Sequence, residues 1–156
     1  MNQNKFSELV ARNANLAGRF RGYVHHRNIH KWNLDEDTFA VVIHMNKSSS
    51  HCTLWAKKNG VTYYLDSCPI DYLPNAVNLP FSLQHHRTRV CAIYTLYFAG
   101  GLFGGDNLLN LLRVFSHNQL SNDICMIEWF RAVVSPDINN YFDRRLLPKV
   151  HFKHFK

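Results

Sequence analysis

The chain has 156 residues, 46% of them hydrophobic and 13% aromatic, which offsets the chain entropy of folding and excludes general disorder. It carries 18 Lys and Arg against 11 Asp and Glu, a formal charge of +7, and it has neither the run of roughly 18 apolar residues of a membrane span nor a signal-like apolar start. Its four Cys, at 52, 68, 91 and 125, lack C-x-x-C spacing and make no disulfide framework in a chain this long, so a monomer in a reducing intracellular compartment, with no membrane, is expected. A single domain, 1–156, ends in a basic tail at about 143–156. In chain order, residues 5–17 place Phe6, Leu9, Val10 and Leu16 at helical spacing, with Gly18 as the stop. Residues 39–45 are a β-branched run of strand length, and 51–56 are another short apolar run. Asn59-Gly60 between strand-like runs predicts an antiparallel hairpin of 51–58 and 61–67 with a two-residue turn. That register sets Thr53 opposite Asp66 and places His51 one diagonal step away on the same face.

Pro69, Pro74, Asn75, Asn78 and Pro80 predict a loop. The stretch from Cys91 is apolar on all sides and closed by glycines, which predicts a buried helix over about 91–99. Further helices are predicted over 107–117 and 121–134, with Ser121 as a cap and Asp123 in the first turn. The order helix, strands, loop, helices predicts an α+β fold with a small central sheet, built mainly from the hairpin region and packed against helices.

Three residues of these elements make a chemical set. His51 opens one strand, Asp66 closes the next on the same face, and Cys91 stands at a helix N-terminus, where positive potential and a nearby imidazolium favour thiolate over thiol. Asp66 would orient the imidazole, and Gln84, seven residues before Cys91, is placed to donate to an oxyanion. Together they are a complete set for cysteine-dependent acyl transfer.

The order His, Asp, Gln, Cys resembles the adenains, the maturation proteases of adenoviruses, within the larger group of ubiquitin-like-protein proteases. The stretches that carry it are FRGYV (20–24), AVVIHMNKSSSH (40–51), YLD (64–66) and QHHRTRVC (84–91). The resemblance implies a papain-like cysteine peptidase of permuted chain order, with Cys91 as nucleophile, His51 as general base, Asp66 as its orienter, and Gln84 with the Cys91 N–H as oxyanion donors. It implies virion precursor polypeptides as substrates and the host nucleus and virion as location. No cofactor is required for chemistry; DNA and a peptide activator are the stimulators it implies. Cys52 stands where the family has Trp, and Ala92 where it has Gly. No Cys lies between Cys68 and Cys91 to tether a peptide.

The charge is uneven. Residues 1–38 hold six basic groups against four acidic, 39–142 seven against six, and 143–156 five against one. Two basic patches follow, one with Arg19, Arg21, Arg27 and Lys31 and one with Arg144, Arg145, Lys149 and Lys153, either ordinary solvated surface or a nucleic-acid-binding surface. The residues admit other readings. His44 competes with His51 as the base, although no acid lies at hairpin distance from it. Zinc ligation by His51, Cys52 and Cys68, or at the His26 and His30 pair, is a second reading, with no metal favoured. His85 and His86 are surface residues or substrate contacts. Removal of ubiquitin-like modifiers and a non-enzymatic basic nucleic-acid-binding domain are the remaining functional alternatives.

Overall fold

Consecutive strands with continuous buried runs build a sheet covered on both faces, and a computed structural model of the chain describes residues 1–45, 50–143, 145 and 147. The elements are α1 (Gln3–Arg12), β1 (Phe20–His25), β2 (Thr38–Met45), β3 (Ser50–Lys58), β4 (Val61–Leu65), β5 (Val77–Asn78), α2 (Cys91–Phe103), α3 (Leu108–Leu112) and α4 (Gln119–Trp129). The strands form one mixed five-stranded sheet in sequential order, with β1 parallel to β2, β4 parallel to β5, and antiparallel pairing between. The fold is α+β. No helix among the described residues is long and apolar enough to cross a membrane.

Odd residues of β2 and even residues of β3 face one way, because side chains alternate along a strand. On that face Phe39, Val41, Leu54 and Ala56 pack with Phe6 and Leu9 of α1, with Ile93, Phe98 and Leu102 of α2, and with Met126 and Ile127 of α4. The opposite face carries a smaller core of Val24, Leu34, Ala40, Val42, Trp55 and Tyr64. Each large side chain buried in either core contributes about 1.5–3 kcal/mol relative to exposure.

The hairpin forms as its turn chemistry requires. Asn59 and Gly60 take φ of 51° and 75°, and Lys58 pairs with Val61 through to Leu54 with Leu65. Other boundaries differ from the sequence expectation. Helix α1 ends at Arg12, where Asn13 turns extended; Gly18, with φ of 80°, belongs to the turn before β1. Helix α4 is capped by Asn118, whose side chain accepts the Ser121 N–H at 3.0 Å, so Ser121 is inside the helix; the wider turn Phe130–Val134 extends it. Only Leu108–Leu112 of 107–117 is helical.

Helix α2 runs through Gly100 and Gly101 and stops at Gly104-Gly105, four residues past its expected end. Gly101 is there for contact: a Cβ on it would lie 2.2 Å from Leu111 Cδ2 and 2.9 Å from Cδ1. Leu111 is itself buried. Gly101→Ala therefore forces overpacking that costs about 1–3 kcal/mol, against a helix-propensity gain of up to about 1 kcal/mol. The expected net result is a destabilised protein, read as a lower urea midpoint with an unchanged m-value.

Candidate active site

His51 is the second residue of β3, and Asp66 follows the last residue of β4. The hairpin register puts both on the face away from α2, and His51 Nε2 hydrogen-bonds Asp66 Oδ1. Asp66 is 2% exposed, and the turn after it holds the carboxylate: the Cys68 N–H donates to Oδ1 at 3.0 Å and the Ile70 N–H to Oδ2 at 3.4 Å. Burial alone pushes His51 toward the neutral ring. Hydrogen bonds to Asp66 and Cys91, with the charges of both, outweigh it and raise the imidazole pKa to about 10.

Cys91 is the first residue of α2. Its cap residue, Val90, makes no side-chain capping bond, and the N–H groups of Cys91 and Ala92 have no partner inside the helix. Positive potential therefore falls on the sulfur. A second source is Cys52, whose thiol donates to the Cys91 sulfur at 3.2 Å between sulfur atoms. The Cys91 pKa is held well below the usual thiol value by the Cys52 hydrogen bond first, against burial, and then by the hydrogen bond and charge of His51 and the Cys52 N–H. Cys52 moves the other way, pushed up by its bond to Cys91 and by burial, so it stays a thiol.

The sequence reading gave Cys52 no part in this site. Strand parity carries the missing signal: residue 52 must face opposite to residue 51, toward the helix that Cys91 opens. His51 reaches Cys91 around the end of the sheet, where β3 and α2 both begin, and both line one cleft.

Gln84 is 3% exposed and lies on that cleft. Its Oε1 accepts from Ser67 Oγ at 2.6 Å and its Nε2 donates to the Thr88 carbonyl at 3.0 Å, which fixes the amide orientation and leaves a second N–H available. The Ser67 carbonyl also accepts the Leu83 and Gln84 N–H groups, at 2.8 and 2.9 Å, tying this segment to the residue after Asp66. Helix α4 clamps it from the other side. Asn122 Nδ2 donates to the Leu83 carbonyl at 3.1 Å, and the Asp123 carboxylate accepts from the His85 N–H, Thr88 Oγ1 and Tyr94 OH. Asp123, expected as a charge in the first helical turn, is fully buried; burial raises its pKa, opposed by its hydrogen bonds.

No protein-family model, curated protein or solved structure matches this chain. The site therefore rests on its own geometry. Two openings meet at Cys91: a polar cleft of about 370 Å³ lined also by His51, Gln84, His85 and His86, and an apolar pocket of about 400 Å³ lined by Phe6, Tyr23, Val41, Ile43, Cys52 and Ala92 among others. An activated thiolate between a polar and an apolar recess can attack an electrophilic carbonyl held across both.

The remaining candidates take these places. His44 is buried, with Nε2 at 3.2 Å from Tyr64 OH and 3.4 Å from Thr53 Oγ1, and burial lowers its pKa. Contrary to expectation it has acids near it: His44, Asp66 and Asp71 bring ligand-type atoms within 4.8 Å of one another, the one such group of three among the described residues. The set His51, Cys52 and Cys68 is not such a group: its three ligand-type atoms do not come together within that distance. His26 and His30 lie in a 3-10 turn, and the His26 ring stacks on His44 at 4.8 Å. In the first basic patch, Arg19 donates to the Asn15 and Asp37 carbonyls and sits over Phe103, and Arg21 is bonded to the Gly18 carbonyl and paired with Asp35. Arg27 and Lys31 are exposed. In the second, Arg145 pairs with Asp143 at 2.7 Å, and Arg144, Lys149 and Lys153 lie outside the described residues.

A pH profile follows from the coupled shifts. Cys91 is deprotonated from well below the usual thiol range, and its His51 partner stays charged up to about pH 10. The alkylation rate of Cys91 by iodoacetamide should therefore be flat across neutral pH, whereas Cys125, pushed up by burial and by Glu128, gains reactivity only in alkali. Peptide-resolved labelling over pH checks this. Equal, steeply rising rates at both cysteines would contradict it.

Proposed function

We propose that the chain is a cysteine endopeptidase with a papain-like site in the permuted order of the adenains. The observation that carries the reading is the convergence of Cys91, the His51–Asp66 pair and the Gln84 amide on one cleft. The Cys91 thiolate attacks the scissile carbonyl carbon, and the displaced electron pair resides on oxygen, which accepts from the Cys91 N–H and the Gln84 amide. Collapse expels the amine, which takes its proton from the His51 imidazolium, leaving a thioester on Cys91. Neutral His51 then removes a proton from water as it attacks the thioester. The carboxylic acid product leaves, and thiolate and imidazolium are restored.

Asp66 keeps the ring oriented throughout and stabilises its charged form. The apolar pocket accepts substrate side chains on one side of the cut, and the polar cleft accepts the chain on the other. Processing of viral or virus-like precursor proteins in the nucleus and virion, with stimulation by DNA at the exposed Arg27 and Lys31, completes the proposal.

The test is digestion of a proteome-derived peptide library by the wild-type chain and the Cys91→Ala chain, with new termini sequenced, in the presence and absence of duplex DNA. New termini made by the wild type alone support the reading. Identical termini from both chains, or none from either with or without DNA, sink it.

A further inference from the structure

We propose that Cys52 is a resolving cysteine: peroxide oxidises Cys91, and Cys52 then closes an intramolecular disulfide with it. This goes beyond peptide hydrolysis and does not depend on it. The two sulfurs lie 3.2 Å apart, and the Cys52 S–H already points at Cys91. They come from two elements packed on each other, β3 and the first turn of α2, so their approach is built into the fold. A disulfide needs about 2.05 Å between sulfurs, so the pair has roughly 1 Å to close. Both cysteines are half-buried and line the apolar pocket, so a molecule as small as hydrogen peroxide reaches them.

The chemistry balances. The Cys91 thiolate attacks one peroxide oxygen, the O–O bond breaks, and the departing hydroxide takes a proton to become water, leaving a sulfenic acid on Cys91. The Cys52 sulfur attacks the Cys91 sulfur, the S–O bond breaks, and the Cys52 proton leaves with the hydroxyl as a second water. The two thiols lose two electrons and two protons in total, and one peroxide is reduced to two waters. A thiol reductant reverses the product, whereas a sulfenic acid with no neighbour proceeds to sulfinic acid, which it does not reverse. The other cysteines are placed differently: Cys68 follows Asp66 and lines the polar cleft, and Cys125 lies on α4 beside Glu128.

Trypsin separates all four cysteines, into peptides 48–57, 59–87, 90–113 and 114–131. The full chain is treated with hydrogen peroxide, free thiols are blocked with N-ethylmaleimide, and the unreduced digest is mapped by mass spectrometry. The expected product is peptide 48–57 joined to 90–113 with the loss of two hydrogen atoms, cleaved by dithiothreitol. In Cys52→Ala and Cys52→Ser, a dimedone-reactive sulfenic acid accumulates at Cys91 and prolonged exposure converts it to a form that dithiothreitol does not recover. Wild-type Cys91 found as sulfinic acid beside a maleimide-labelled Cys52, joined to Cys68 or to another chain, or left unoxidised overturns the proposal. Every readout is a mass, so a chain without peptidase activity tests it equally well.

Discussion

Cys91→Ala is expected to abolish the proposed peptide hydrolysis while leaving the fold intact, and His51→Ala to abolish it at a cost in stability. In enzymes whose nucleophile and base act as a unit, losing either member costs about as much as losing both, on the order of 10⁶ in kcat. The two variants part company in folding. Cys91→Ala deletes one sulfur from a half-buried position, and His51 keeps its Asp66 partner. His51→Ala leaves the Asp66 carboxylate buried with only backbone N–H donors, at 3.0 and 3.4 Å. Breaking a fully buried pair costs about 3–5 kcal/mol, and the His51 side chain is 15% exposed, which places the loss toward the low end. Because the folded His51 pKa is raised to about 10 from 6.5, this stabilisation is complete below pH 6.5 and fades as pH rises through about 10. Urea denaturation of the wild type and both variants at neutral pH and near pH 10 measures it. Equal stability of the two variants at neutral pH contradicts the pairing.

Gln84→Ala is expected to lower kcat by about 10²–10³ with little change in KM, the loss found when one oxyanion donor is removed. The second Nε2 hydrogen is the one proposed to bind the tetrahedral oxyanion, so its contribution is expected in the transition state alone. Gln84→Glu should fare no better: a carboxylate loses the donor and sets an oxygen against the Thr88 carbonyl that now accepts from Nε2 at 3.0 Å. Asp123→Asn tests how the donor is positioned. The side chain keeps its size, but a flip that offers N–H to Thr88 Oγ1 or to the His85 N–H loosens the segment holding Gln84. Steady-state kinetics separates these effects. A Gln84→Ala enzyme that loses affinity with kcat unchanged would make Gln84 a substrate-binding residue.

The hairpin was legible because its information is local. Asn-Gly dictates the turn, the turn dictates the register, and the register brings His51 and Asp66 together without reference to the rest of the chain. The N-terminal position of Cys91 on a buried helix was equally visible. Strand β1 was not, since Gly22, at φ 105°, breaks its alternation and its parallel pairing to β2 depends on residues about twenty positions away. Two-residue β5 carries too little pattern to be seen. The end of α2 was misplaced because Gly100 and Gly101 look like a stop, while the use of Gly101 is to admit Leu111. Cys52 escaped notice because neighbours in sequence lie on opposite faces of a strand, and the Asn122–Asp123 clamp because it joins residues almost forty apart.

The measurement closest to the central claim is the first turnover with a peptide p-nitrophenyl ester. A burst of one p-nitrophenol per chain before the steady state, with the acyl group mapped to Cys91 and absent from Cys91→Ala, is the expected result. Release with no burst, or an acyl group on any other residue, contradicts it.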